Sequence, residues 1–298
     1  MKKVAVLLSS YNGEQYIEEQ LTSIVNQSYE NIEIYIRDDC STDQTVQVIR
    51  KFLKYKNVHF IQGEKNLGYP EGFYNLMGMD IDADYFSFSD QDDVWEKDKI
   101  KNAVELMSGS SENVPVLYFA AYDICDDQLN YISTQPNINF KPEFCNSLFQ
   151  CLALGYTIVL NKKAKIMSYE RRSKETISKD VWIGMLCAGL GEVIFDSRSC
   201  AKYRRNDGAF SVSSTNFIEI QKNRFQKLFK NNGFASINSL MTECLDNFSD
   251  ELPDEKRSEL ELFAKKKQRL RKVFYSKRLR YNFSDEIFLR LMFLIGKV

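Results

Sequence analysis

Four short apolar runs punctuate the first hundred residues, and each gives way to polar residues. Residues 4–10, Val-Ala-Val-Leu-Leu-Ser-Ser, break at Tyr11-Asn12-Gly13, after which Ile17, Leu21, Ile24 and Val25 recur at helical spacing. The run Ile32 to Ile36 stops at Arg37-Asp38-Asp39. There Ser41-Thr42-Asp43-Gln44 offers a capping box to a helix carrying Val46, Ile49, Phe52 and Leu53. A third run, Val58 to Gln62, leads through Lys65-Asn66-Leu67-Gly68-Tyr69-Pro70 into a helix bearing Phe73, Leu76 and Met77, and a fourth is Tyr85-Phe86-Ser87-Phe88. Strand and helix alternate with short connections, which predicts right-handed βαβ units and a mostly parallel sheet with polar residues gathered beyond each strand.

The fourth run ends in Ser89-Asp90-Gln91-Asp92-Asp93-Val94-Trp95, three carboxylates within four residues. Clustered Asp at the carboxyl edge of a sheet supplies hard oxygen ligands where a divalent cation and a phosphate can meet. The same residues also suit a solvated turn or a helix N-cap.

Taken in order, Ser10-Tyr11-Asn12, Asp38-Asp39-Cys40-Ser41-Thr42-Asp43, Asn66-Leu67-Gly68 and Asp90-Gln91-Asp92-Asp93 resemble the inverting family 2 glycosyltransferases of the GT-A fold. The form Ser-Asp-Gln-Asp-Asp-Val-Trp is similar to the bacterial branch containing rhamnosyltransferases of cell-surface polysaccharide synthesis. The resemblance covers residues 1–215 and implies a Rossmann-like α/β sheet flanked by helices. Its nucleotide-binding half would be 1–100 and its acceptor half 101–215, with residues 216–298 as a C-terminal helical appendage.

The resemblance also implies roles. Ser10, Tyr11 and Asn12 fall where the family cradles the nucleotide, and Asp38 where a carboxylate reads the imide of uracil or thymine; each alternatively belongs to a turn or cap. Asn66 and Gly68 match the loop over the donor, and Gln91 in the Asp run is a further donor-binding candidate. The Ala-Arg-Asn usual after that loop is here Gly72-Phe73-Tyr74-Asn75, without the arginine. Asp90 and Asp92 match the metal pair, Asp92 as the direct ligand and Asp90 toward the donor's ribose or a metal-bound water, and Mg²⁺ or Mn²⁺ suits the oxygen ligands. Asp93 and Trp95 begin the acceptor side, Trp95 fitting a core position equally well.

Ser178-Lys179-Asp180-Val181-Trp182 matches the point where the family keeps its general base, with Asp180 as the base and Trp182 on the acceptor side; an N-cap is the alternative for Asp180. Relatives often follow Tyr-Arg with a metal-binding His. Here Tyr203-Arg204-Arg205 is followed by Asn206, so either an Asn206 or Asp207 oxygen completes the metal shell or fewer protein ligands hold the ion, more weakly. The one histidine, His59, lies within the third strand.

With 298 residues, 44% hydrophobic, and a net charge of −1, the chain can bury a large core and carries no nucleic-acid footprint. No dinucleotide or NTPase glycine loop is present, and the seven scattered cysteines suit a reducing cytoplasm. The expectation is a cytoplasmic enzyme taking a dTDP- or UDP-linked sugar, with dTDP-L-rhamnose favoured. UDP-galactose or UDP-N-acetylglucosamine, or a catalytically silent nucleotide-sugar-binding subunit, are the alternatives. Its acceptor would be a polysaccharide or lipid-linked glycan. Residues 265–280 hold nine basic residues and no acid before the apolar run 287–295. That pattern suits either a peripheral contact with the inner face of the plasma membrane, through Phe288, Leu291 and Leu294, or a helix packed on the chain or a second subunit.

Overall fold

The computed structural model describes residues 1–174, 178–205, 233–265 and 267–298. Its first four strands are β1 (Val4–Ser10), β2 (Ile32–Asp38), β3 (Val58–Gln62) and β4 (Tyr85–Ser89). All are parallel, in the order β3-β2-β1-β4. Helices α1 (Ile17–Val25), α2 (Thr45–Lys51) and α3 (Glu71–Met77) connect them. The period-2 pattern splits β1 between two cores. Val4, Val6 and Leu8 pack with Ile17, Leu21 and Ile24, while Ala5 and Leu7 pack with Phe73, Leu76 and Met77 on the other face. A sheet covered on both faces explains why β1 reads as an unbroken apolar run.

The register aligns the strand ends. Ser10 pairs with Asp38, Asp38 with Gln62, and Leu8 with Ser89, so the loops after β1, β2 and β4 open at one edge. Chain order reverses direction between β1 and β4, the position where open α/β sheets bind ligands.

Beyond β4 the sheet becomes mixed. β5 (Val94–Trp95), α4 (Lys99–Met107), β6 (Val116–Cys125), β7 (Tyr131–Gln135), α5 (Phe144–Ser147), β8 (Ile158–Asn161), α6 (Lys162–Glu170), α7 (Lys179–Leu190) and β9 (Glu192–Arg204) follow. β8 runs antiparallel to β4 and β6, β9 runs parallel to β6, and β5 and β7 lie antiparallel on β9 and β6. α2 is shorter than its pattern predicts: a 3₁₀ turn takes Phe52–Lys54, which leaves Leu53 exposed. Its N-terminus is held by Asp43, whose Oδ1 accepts from Thr45 N at 2.9 Å, instead of by a box from Ser41.

The C-terminal helices are α8 (Gly233–Phe248), α9 (Asp254–Ala264), α10 (Arg269–Val273) and α11 (Phe283–Leu294). They share the core that lies under α5 and α7. Phe149 meets Phe263 at 4.9 Å and Phe293 at 5.5 Å between ring centroids, both edge-on, and both partners are fully buried. Burial of each such ring contributes ~1.5–3 kcal/mol. Among the described residues no helix is long and apolar enough to cross a membrane.

Candidate active site

The loop after β1 is stitched to its neighbours through side chains. Gln91 accepts from Tyr11 N at 2.9 Å and donates to Tyr11 O at 3.0 Å. Asn12 Oδ1 accepts from Thr42 N at 2.9 Å, Asn12 N donates to Ser41 Oγ at 2.9 Å, and Gly13 N donates to Thr45 Oγ1 at 2.7 Å. This fixes Tyr11 with its ring exposed at the sheet edge. Gln91 is therefore a positioning residue here, with both amide atoms spent on Tyr11.

Asp38 is fully buried. Its Oδ2 accepts from Ser41 N at 2.9 Å, and its Oδ1 from Ser41 Oγ at 2.5 Å and Ser10 Oγ at 3.3 Å. Asp38 and Ser10, expected to face a nucleotide, both lie beneath the turn and hold it. Cys40 completes that turn at φ 65°, the left-handed region that favours glycine. Asp39 ion-pairs with Arg37 and accepts from Leu67 N at 2.8 Å and Gly68 N at 2.6 Å, contacts that keep its carboxyl below its usual value although burial opposes them. Asn66 and Gly68 are thereby presented, exposed, at the same edge.

The Asp cluster lies where β4 ends. Burial pushes the Asp90 carboxyl up to about 6; Lys179 opposes the shift, while Asp180 and Asp92 add to it. Asp92 is also raised, mainly by burial, against its own backbone N–H and Arg204. Asp93 is raised strongly by burial and by the Asp90 and Asp92 charges, and its Oδ2 is buried without a hydrogen-bond partner. The nearby cations are committed elsewhere. Lys99 donates to Tyr156 O and lies 4.2 Å from the Trp95 ring, and Arg204 pairs with Glu19 and bonds Asp127 O. Surplus negative charge and an orphaned buried oxygen fit a divalent cation.

Asp180 lies one residue into α7. Its Oδ1 accepts from Lys179 Nζ at 2.8 Å and its Oδ2 from Gly155 N at 2.9 Å. A Cβ on Gly155 would fall 2.6 Å from Lys179 Nζ and 2.9 Å from Asp180 Oδ1, so glycine is what lets the backbone approach. Lys179 is 1% exposed and lies 4.1 Å from the Phe73 ring, 4.9 Å from Phe88 and 5.1 Å from Tyr69. Burial works against its charge, but Asp180, Tyr69 and Asp90 hold the ammonium above its ordinary pKa. The N-cap role expected as the alternative for Asp180 falls to Ser178, whose Oγ accepts from Asp180 N at 3.3 Å. Tyr69 O–H meets Ser178 Oγ at 2.7 Å, linking the Asn66–Pro70 loop to this helix end.

Other expectations divide. Trp182 is fully buried, donates from Nε1 to Arg171 O at 2.6 Å and packs on Phe248, so it is a core residue with no surface for an acceptor. Trp95, 4% exposed, and Asp93, 2% exposed, are likewise inside. Asn206 and Asp207 lie outside the described residues. His59 lies on edge strand β3, stacked on Tyr35 and 2.7 Å from Glu33 Oε2. Lys179, Gly155, Lys99 and Arg204 carry roles that sequence reasoning missed. For Lys179 and Arg204 a signal existed, a cation next to a recognised motif residue.

Comparison with known proteins gives concordant results. The family model "Glycosyl transferase family 2" matches residues 5–164. The chain is 36% identical over 168 residues to the dTDP-rhamnosyl transferase RfbG of Shigella flexneri, covering 53% of this chain and 55% of that protein. It is 30% identical over 193 residues to WfaP of Escherichia coli, covering 64% and 72%. WfaP is described as a UDP-Glc:α-D-GlcNAc-diphosphoundecaprenol β-1,3-glucosyltransferase. Residues 1–349 of Staphylococcus aureus TarS share the fold at TM-score 0.57 and 16% identity, over 99% of this chain and 92% of that one.

Proposed function

Because the chain belongs to glycosyl transferase family 2, we propose that it is an inverting transferase that moves L-rhamnose from dTDP-L-rhamnose to a growing surface polysaccharide or its lipid-linked precursor. The observation that carries this reading is the run Asp90, Asp92 and Asp93 at the end of β4, where the buried Asp93 Oδ2 has no hydrogen-bond partner and Asp180 is near enough to help raise the Asp90 carboxyl. The rhamnosyl donor is supported by the likeness to RfbG. WfaP supports a second reading, a UDP-hexose donor on the same scaffold.

In this mechanism the exposed Tyr11 ring packs on the pyrimidine base, and Asn12, Asn66 and Gly68 line the donor. Asp90 and Asp92 would hold the divalent ion. When bound, Mg²⁺ or Mn²⁺ supplies positive charge that offsets the charge on the departing diphosphate. Asp180 takes the proton from the acceptor hydroxyl as that oxygen bonds to the anomeric carbon. The bond from that carbon to the phosphate oxygen breaks on the opposite face, and its electron pair leaves with the nucleoside diphosphate. Lys179 and Gly155 N hold the carboxylate in place without taking the proton.

The test is nucleoside diphosphate release from dTDP-L-rhamnose, UDP-glucose and UDP-N-acetylglucosamine, with and without Mn²⁺. Faster release of dTDP than UDP is expected, and Asp180→Asn should cut acceptor-dependent transfer by ~10²-fold or more while donor binding holds. Preferential UDP release would favour the second reading. Donor binding without turnover of any sugar would mean a silent nucleotide-sugar binder.

A further inference from the structure

We propose that the C-terminal helix pair α10 and α11 forms a docking face for an anionic lipid bilayer, with an apolar stripe that enters the interface and a basic collar around it. On α11 the positions Phe283, Ile287 and Leu291 recur every four residues, Leu294 continues their line, and all are 47–67% exposed. The opposite side of the same helix is buried through Leu289, Met292 and Phe293. α11 is thus apolar on both faces, and only one of them is covered by the chain. Leu270 on α10 and Phe274, which caps its C-terminus, are 64% and 79% exposed.

α10 is fixed against α11 by polar contacts. Arg290 Nη1 donates to Val273 O at 2.6 Å and Tyr275 O at 2.9 Å, and Lys272 Nζ reaches Phe263 O at 3.1 Å and Val298 O at 3.5 Å. The two apolar rows therefore belong to one rigid corner.

Charge selects the occupant. Among the described residues from 265 onward, the exposed ionisable side chains are Lys265, Lys267, Arg269, Arg271 and Lys297, and every one is a cation. Asp285 pairs with Arg280, and Glu286 is buried against Arg290. A groove of ≈ 870 Å³ borders the face between α9 and α10; of its acids, Glu255 and Glu259 share Lys277 and Glu261 pairs with Lys265. A second copy seated by symmetry would set these cations against each other. Anionic head groups attract them, and acyl chains accept the apolar row. Of the residues expected from sequence to insert, Leu291 and Leu294 lie on this face, whereas Phe288 packs inward against the core. The proposal is independent of which sugar is transferred.

The experiment is flotation of the full chain with vesicles of phosphatidylcholine alone and of phosphatidylcholine with one third phosphatidylglycerol, alongside sizing in solution. Two exposed-site variants, Ile287→Ser with Leu291→Ser and Lys267→Glu with Arg271→Glu, are checked for an unchanged melting temperature. Binding to the anionic vesicles only, weakened by salt and reduced about tenfold or more in each variant, is the expected result. Failure to float with anionic vesicles overturns the proposal. So does a concentration-dependent dimer that the apolar variant dissolves without any lipid binding, which would assign the face to a second copy.

Discussion

Two groups of three carboxylates among the described residues behave oppositely. Glu143, Glu255 and Glu259 surround Lys277 Nζ at 2.9, 2.7 and 2.8 Å, and Tyr275 O–H adds a bond to Glu259 at 2.5 Å. Glu143, Cys145 and Glu259 present ligand atoms close enough together for a metal, yet the ammonium already fills that place. Asp90, Asp92 and Asp93 have cations nearby as well, but Lys179 is held by Asp180, Lys99 by Tyr156 O, and Arg204 by Glu19. The two groups differ in whether a cation sits among the acids, and not in the number of acids. Lys277 ties Glu255 and Glu259 of α9 to Glu143 at the start of α5, whereas Asp93 Oδ2 is buried with no partner at all.

The comparison is broken most directly by removing one acid from the open cluster. Asp92→Asn should lower sugar transfer by ~10²–10³-fold, the scale of a lost electrostatic contact at the reacting centre. Its melting temperature should be unchanged or higher, because a like charge leaves a crowded site. Turnover within a few-fold of the parent would show that the surplus charge at the sheet edge has no part in the chemistry.

In the closed cluster the same kind of change should act on stability instead. Lys277→Met strands Glu259, which is 5% exposed, among other acids. The partly exposed lysine limits the cost to about 1–3 kcal/mol of unfolding free energy. Urea denaturation measures this, and transfer per folded molecule should match the parent. A variant of parental stability that loses turnover would mean the glutamates serve the active site.

The parallel half was legible because its signals are local. The boundaries of β1 and β3 follow directly from apolar runs bounded by turn residues, and Phe73, Leu76 and Met77 fall on the buried side of α3 as their spacing predicts. The mixed half was not, since β6 meets β8 across 39–43 residues and β9 across 76–79, and nothing in a short window encodes those pairings. The motif residues come together at one sheet edge, but their spacing does not say which of them face outward. Ser10 and Asp38 turn inward because Ser41 doubles back over them, and Trp182 is buried because α7 runs through the core with apolar residues all round. Gly155 was hidden for a different reason: its service to Asp180 is a matter of missing volume, which no motif records.

The smallest effect, and the one that separates the clusters most finely, is on how pH and metal act together. Asp90 is an acid whose folded-state pKa, about 6, lies above its ordinary 3.8, chiefly because of burial. The folded chain holds this proton more tightly than the unfolded one. Its contribution to stability is therefore fully present below pH 3.8 and drains away as pH rises to about 6, beyond which Asp90 is an unfavourable anion. A divalent ion must displace that proton at pH 5 but meets a bare carboxylate at pH 7. Saturating Mn²⁺ should therefore raise the melting temperature more at pH 7 than at pH 5, by ~2–4 °C for each kcal/mol of coupling. Asp90→Asn should shrink the difference, leaving what Asp92 and Asp93 contribute, and Glu259→Gln should leave it intact. A shift equal at both pH values that survives Asp90→Asn and disappears in Glu259→Gln would place the ion among the glutamates and reverse the assignment of the two clusters.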